Sequence, residues 1–493
     1  MKLNMTNPKP NTAARILVDA SGGAFFEPES LEYLVGQGLV ENDHRVFYTE
    51  QGQLCYLLRL KASRDQIDYA QALDAARLLA YKNHKDWPNE LIVDSYLGDI
   101  DDPKIFAVIE GLSLGMYQIG KWKSEPPKSA AGPDLTLLHF GKTLEQSLLE
   151  DGSESIRIEA ENRLYERLQQ TLILADVEKK IMDLVNAPAN HKRPQDLAAW
   201  AKGSAEAYGY SANILDKAAC RETGLHALLS VNRGSEDGAQ FIILEYKHDQ
   251  APEDGPTALV GKGVTFDTGG VSLKRPTNMH LMKSDMGGAA AVLATLEAAA
   301  RMQLPLHLVG IVPATDNSVG TMSVKPSDVI QSYSGKTIEI IDTDAEGRLI
   351  LSDGLAYAIK HFEPAQLVSI ATLTGSAVRT FGYECAALFS KNEDMVSSLQ
   401  SAGNRCGQKC WPLPPWDAYR SDLDSDVADI ANMNTRPIAG AIDAFKFLEF
   451  FTSDHEAYAH LDIAGVALKA GPYGKDRTAT AFGPRLLLEW LRS

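Results

Sequence analysis

The chain has 493 residues, 44% of them apolar and 23% charged, which is enough length for two or three domains and an ordinary composition for a globular enzyme. A net charge of −17 argues against the basic stripe that nucleic-acid binding requires. The five cysteines, Cys55, Cys220, Cys385, Cys406 and Cys410, are odd in number and scattered, so they form no disulfide framework and fit a reducing compartment.

The first 13 residues are polar and lack the apolar core of a secretory signal, and no stretch is apolar enough to span a membrane. From Arg15 to about Gly120, short apolar runs such as Ile16-Leu17-Val18 and Leu54 to Leu58 alternate with helical patterns such as Tyr69 to Tyr81. This alternation predicts an α/β domain over residues 1–152. Lys121 to Asp134 reads as a loop, followed by a strand at Leu135 to Phe140. Ser153 to Leu184 is charged and apolar at helical spacing without Gly or Pro and stops at Asn186-Ala187-Pro188, so residues 153–188 are expected to form a linker helix.

Residues 189–493 carry the stronger signals. Phe241 to Tyr246, Ala258 to Val264, Leu306 to Val312, Thr337 to Ile341 and Leu367 to Leu373 are continuous apolar runs of the kind found in strands covered on both faces. Helical patterns at Gly287 to Met302, Glu346 to Phe362 and Ala439 to Phe451 fall between them. The expected architecture is a larger C-terminal α/β domain with a central mixed sheet covered by helices, beside the smaller N-terminal one.

The chemistry concentrates at the strand ends. Asp344 and Glu346 flank one alanine at the mouth of an apolar segment, where two anions cost several kcal/mol unless cations answer them. Asp267 and Asp285 add two carboxylates, and Lys262, Lys274 and Arg348 are the nearby cations. Four carboxylates at glycine-flanked strand ends fit a pair of divalent metals better than a solvated acidic face, because ligands gather outside the carboxyl ends of strands in such sheets. Oxygen donors suit Mn²⁺, Mg²⁺ or Zn²⁺. Lys262 joins such a set only as a neutral amine, so its pKa, about 10.4 unperturbed, must fall under the metals' charge. A metal bridge lowers the pKa of water to about 7, and Lys274 and Arg348 remain to polarise a carbonyl and hold developing charge. These parts describe hydrolysis of a carbonyl compound such as an amide.

Other motifs carry less. The glycines around Lys262 fail the phosphate-loop pattern, with Gly255 one residue early and Gly263 in the hydroxyl position. Gly111-Leu112-Ser113-Leu114-Gly115 matches the G-x-S-x-G elbow after an apolar run at Ile105 to Ile109, which keeps a serine hydrolase on Ser113 as an alternative. Cys406 and Cys410 stand at i, i+4 without metal-ligating neighbours and read as buried thiols, and His280 reads as a loop histidine.

The run Asp342 to Leu349 is similar, with one change, to Asn-Thr-Asp-Ala-Glu-Gly-Arg-Leu, the signature of the leucyl aminopeptidase family of dinuclear metalloexopeptidases. Val260 to Gly263, Phe266 to Gly270, Met282 to Gly288, Thr372 to Gly375 and His460 to Gly465 also resemble that family, over about residues 180–490. The resemblance implies that Lys262, Asp267, Asp285 and Glu346 hold one metal (Mn²⁺ or Zn²⁺), and Asp267, Asp344 and Glu346 the other. It implies catalytic roles for Lys274 and Arg348, a bicarbonate ion held by Arg348 with backbone groups of Ala345, Gly347 and Leu373, and a first-side-chain pocket lined by Met282, Thr372 and Gly375. Peptide substrates, a homohexamer and a cytoplasmic location are the accompanying expectations. A DNA-binding or structural assembly of the same fold is the remaining alternative. Asp342 for Asn, Thr268 for Ser, and Ser327 where a Gly usually precedes Asp328 depart from the family pattern.

Overall fold

A computed structural model of the chain describes residues 3–4, 14–19, 45–48, 54–59, 68–87, 90–95, 103–127, 134–140, 154–436 and 438–493. Most of the polar N-terminal segment and residues 128–133 of the expected loop lie outside the described residues. The chain divides into two compact units, Met1–Lys179 and Lys180–Ser493, and the division falls inside the long helix Glu154–Asn186.

The first unit holds a six-stranded sheet made of β1 (Leu3–Asn4), β2 (Ala14–Asp19), β3 (Arg45–Tyr48), β4 (Leu54–Arg59), β5 (Glu90–Ser95) and β6 (Asp134–Phe140), in the order β1-β6-β5-β2-β4-β3. The apolar run Ile105 to Ile109 is helical, within Pro103–Gly115, and does not enter the sheet. Gly111 and Gly115 explain why: a Cβ on either would lie 2.3 Å from a backbone carbonyl oxygen of the helix Tyr69–Asn83. The two glycines let two helix backbones touch. Ser113 sits between them, buried, and accepts a hydrogen bond from Lys179 Nζ at 3.1 Å. It lies in a helix interior, where no strand-to-helix turn exposes its hydroxyl.

The second unit is built on a nine-stranded mixed sheet. Its strands are β7 (Ser211–Leu215), β8 (Gln240–Lys247), β9 (Thr257–Gly261), β10 (Gly263–Asp267), β11 (His307–Asn317), β14 (Gln366–Ala371), β15 (Ala386–Ser390), β16 (Cys410–Pro412) and β18 (Tyr458–Asp462). The order is β16-β15-β18-β14-β9-β11-β8-β7, with β10 also on β11. Short strands β12 (Val329–Gln331), β13 (Thr337–Glu339) and β17 (Ile430–Ala431) form a separate sheet. The expected strand Thr337 to Ile341 therefore stands apart from the main sheet.

β9, β11, β14 and β18 run parallel, so Lys262, Thr372 and Asp462 emerge at one edge. Helix Gly287–Arg301 covers this core and is buried from Gly287 to Ala300, consistent with an apolar pattern on all faces. Gly288 sets its approach, since a Cβ there would lie 2.0 Å from Ile370 O. The expected strand Ala258 to Val264 is two strands interrupted at Lys262. β9 pairs with β11 at Leu308–Ile311, and β10 pairs with it from Ala314 onward. Cys406 ends one helix and Cys410 lies in β16; both thiols are buried and unoxidised. His280 is exposed and pairs with Asp476 at 2.9 Å. Among the described residues no helix is long and apolar enough to cross a membrane.

Candidate active site

Four neighbouring elements deliver the charged side chains. Asp267 ends β10, Asp285 follows a short 3-10 turn at Met279–Ser284, Glu346 opens the helix Glu346–Phe362, and Asp344 precedes it by two residues. Lys262 interrupts the β9–β10 run. A cavity of about 470 Å³ is lined by Lys262, Asp267, Lys274, Met282, Asp285, Asp344, Ala345, Glu346, Arg348, Thr372, Leu373 and Gly375. Of the site residues that the family resemblance implies, only Gly347 does not line it. Gly347 lies behind: a Cβ there would come within 2.6 to 2.8 Å of Cε, Cδ and Nζ of Lys262. Its missing side chain is what admits the lysine.

The acids and lysines interlock. Lys262 Nζ lies 2.7 Å from Asp285 Oδ2 and 2.8 Å from Glu346 Oε1, and donates to Thr372 O at 3.0 Å. Lys274 Nζ lies 2.7 Å from Asp267 Oδ2 and 2.5 Å from Asp344 Oδ1. One oxygen from each of Asp267, Asp344 and Glu346 falls within 4.8 Å of the others. Burial and the repulsion of Asp267 and Glu346 push the Asp344 carboxyl up to about 7. Burial also raises Asp285 and Glu346. For Lys262, burial favours the neutral amine, but Asp285, Glu346 and Asp267 outweigh it and raise the pKa. A neutral Lys262 therefore requires cations that take over those carboxylates.

The oxygen set fits divalent cations. Glu346 Oε2 is buried without a hydrogen-bond partner, a condition that costs about 1–3 kcal/mol or more for a charged group and that a cation relieves. Four carboxylates facing two lysines also leave a surplus of negative charge in a buried place.

Residues not evident from the sequence hold this geometry. Asn317 Nδ2 donates to Asp267 Oδ1 at 2.9 Å and to Thr343 O at 3.0 Å. Asn432, fully buried, accepts from Ile341 N at 2.7 Å and Asp342 N at 3.2 Å and donates to Asp342 O at 2.7 Å. Its own carbonyl accepts from Arg348 Nη1 at 2.8 Å. Neither asparagine stands in an acidic or glycine-rich motif, so only the fold reveals them. Asp342 Oδ1 accepts from Asp344 N at 2.8 Å, a bond that an asparagine oxygen makes equally well. Ser327 has φ +79°, the left-handed region that favours the usual glycine.

Arg348 is buried, with Nε unpartnered. Burial lowers its pKa against the raising effect of Asp443, Glu346, Asp462 and Asp342, and the guanidinium stays charged. Leu373 N donates to Asp462 Oδ1 at 3.2 Å.

Residues 180–488 match the model of the cytosol aminopeptidase family, catalytic domain. The chain belongs to this family. The probable cytosol aminopeptidase of Chlorobaculum tepidum is 39% identical over 97% of both chains, and that of Chloroherpeton thalassium is 40% identical over 78% of this chain and 74% of its own. A solved structure of the bottromycin maturation enzyme BotP in complex with Mn superposes with TM-score 0.83 at 29% identity, covering 98% of this chain and 99% of BotP. The cytosol aminopeptidase assignment makes the protein a metal-dependent aminopeptidase, a hydrolase, with the acidic cluster in its catalytic region.

Proposed function

We propose that this aminopeptidase removes N-terminal, leucine-like residues from peptides, using two divalent cations, Mn²⁺ or Zn²⁺, at the strand-end cluster. The observation that carries the reading is the convergence of Asp267, Asp344 and Glu346 oxygens within 4.8 Å of one another beside Asp285 and Lys262. In this reading Lys262, Asp267, Asp285 and Glu346 hold one cation, and Asp267, Asp344 and Glu346 hold the other. Bound there, the cations would supply an activated water and polarise the scissile carbonyl. Lys274 borders that position and donates to the carbonyl oxygen, stabilising charge as it develops.

Arg348 holds a planar anion, bicarbonate in the family, with the backbone of Ala345, Gly347 and Leu373; the unpartnered Nε supports this. The apolar part of the cavity, with Met282 beside Thr372 and Gly375, receives the first side chain. Residues 189–493 act as the catalytic domain, 153–188 as the linker, and 1–152 as the N-terminal domain; the working form is a cytoplasmic homohexamer.

Cleavage of Leu-p-nitroanilide by purified protein with Mn²⁺ or Zn²⁺ is the test, together with metal analysis and sedimentation. No cleavage, or a Glu346→Ala variant as fast as wild type, ends the reading. Neither alternative is favoured: Ser113 is buried in a helix interior, and a net charge of −17 opposes DNA binding.

A further inference from the structure

Five cations line the cavity: Lys262, Lys274, Arg348, Arg379 and Arg477. The first two are paired with the four carboxylates, and Arg348 is buried and bonded to Asn432 O. Arg379 and Arg477 differ. Among the described residues neither side chain forms an ion pair or a hydrogen bond; Arg477 lies over the Tyr383 ring at 5.1 Å, and Arg379 is exposed.

Arg379 lies one turn beyond Gly375 on the helix Gly375–Phe381, and residues four apart share a helix face. Its Nη1 stands 3.5 Å from where a Cβ on Gly375 would be, so the guanidinium covers the glycine at the cavity wall. Part of the cavity lining is apolar, with Leu281, Met282, Ala464, Ala467 and Leu468. A free arginine fork on the wall of a substrate-sized cavity, beside Gly375 and with no acid engaging it, suits a carboxylate brought by the substrate.

We propose that Arg379 is a specificity-determining residue that receives a substrate carboxylate. The proposal rests on the aminopeptidase reading above. The carboxylate is either the first side chain, Asp or Glu, or the C-terminus of a dipeptide. With the Mn²⁺-loaded full chain, kcat/KM is measured for Leu-, Asp-, Glu- and Lys-p-nitroanilide and for Leu-Gly against Leu-Gly-amide, in wild type, Arg379→Gln and Arg379→Glu.

Arg379→Gln should lower the ratio of carboxylate-bearing to neutral substrate by about 10- to 100-fold, the range for a charge-assisted hydrogen bond. Arg379→Glu should turn the preference towards Lys-p-nitroanilide. A ratio that moves for the anilides places the carboxylate on the first side chain; one that moves for the dipeptide pair places it at the C-terminus. If the substitutions change all substrates alike, or none, the proposal is overturned while the aminopeptidase reading stands. If the wild type cleaves no substrate at all, both fall.

Discussion

Two buried charge clusters in the catalytic unit obey opposite rules. On the flank of the sheet, Glu297 is 1% exposed, yet Oε1 meets Lys180 at 2.6 Å and Arg301 at 3.1 Å, and Oε2 accepts from Ser204 Oγ at 2.6 Å. Both oxygens are answered and the local charge is not negative. At the strand ends, four carboxylates share two lysines and Glu346 Oε2 is left unanswered. The difference separates a structural network from a site: burial of an acid is common to both, whereas surplus negative charge and an open lone pair belong to the second alone.

Substitutions should pull the two clusters apart. Glu346→Ala should reduce kcat/KM on Leu-p-nitroanilide by more than the ~100-fold typical of losing an outer-shell partner, while the metal-free protein keeps its melting temperature because repulsion is relieved. Glu297→Ala should do the reverse, costing about 2–4 kcal/mol in urea unfolding, somewhat discounted because Lys180 is partly exposed, with kcat/KM of the folded enzyme unchanged. If both variants lose activity and stability together, the distinction fails.

Gly347→Ala tests how tightly the site is built. The added methyl must displace Lys262, and metal content or kcat/KM should fall about 10- to 100-fold; full retention would show that the lysine has room to shift.

His460 represents a third kind of buried titratable group, kept neutral by burial. It bonds Ser369 through Nδ1, and its pKa is depressed to about 3 from 6.5. Above pH 6.5 the imidazole is neutral whether the chain is folded or not. As pH falls from 6.5 towards 3, the unfolded chain takes up a proton that the folded one refuses, so stability declines by about 1.4 kcal/mol per unit. In urea unfolding the wild type should therefore lose about 2 kcal/mol more than His460→Asn between pH 6.5 and 5, because the acids raised by burial, Asp344 among them, shift both proteins alike.

The helix Glu346–Phe362 was legible at its final bounds because an acidic pair precedes a clean helical period. The carboxylates and lysines of the site were legible for the same local reason. The break at Lys262 was not. It depends on β11, an eleven-residue strand long enough to pair with both pieces, and apolar residues on either side of the lysine read as one strand. The apolar run Ile105 to Ile109 is helical, and sequence alone leaves such a run open, since a short apolar stretch does not distinguish a strand from a buried helix turn. Ser327 shows as a departure in sequence, but its left-handed backbone is visible only in three dimensions. Asn317, at the end of β11, reaches Asp267 50 residues away, and Asn432 reaches Ile341 91 residues away, and nothing in local composition announces them.

The dispersal of the site along the chain has a kinetic meaning. Asp267, Asp285 and Asp344 belong to segments distant in sequence, and the finished fold that gathers them has β10 paired with β11 and the helix Gly287–Arg301 packed against β14. Partly folded chains therefore present no assembled cluster, and a cation that needs all of these oxygens arrives last. Its contribution falls on the native side of the folding barrier: loading should lengthen the lifetime of the finished fold without hastening its formation.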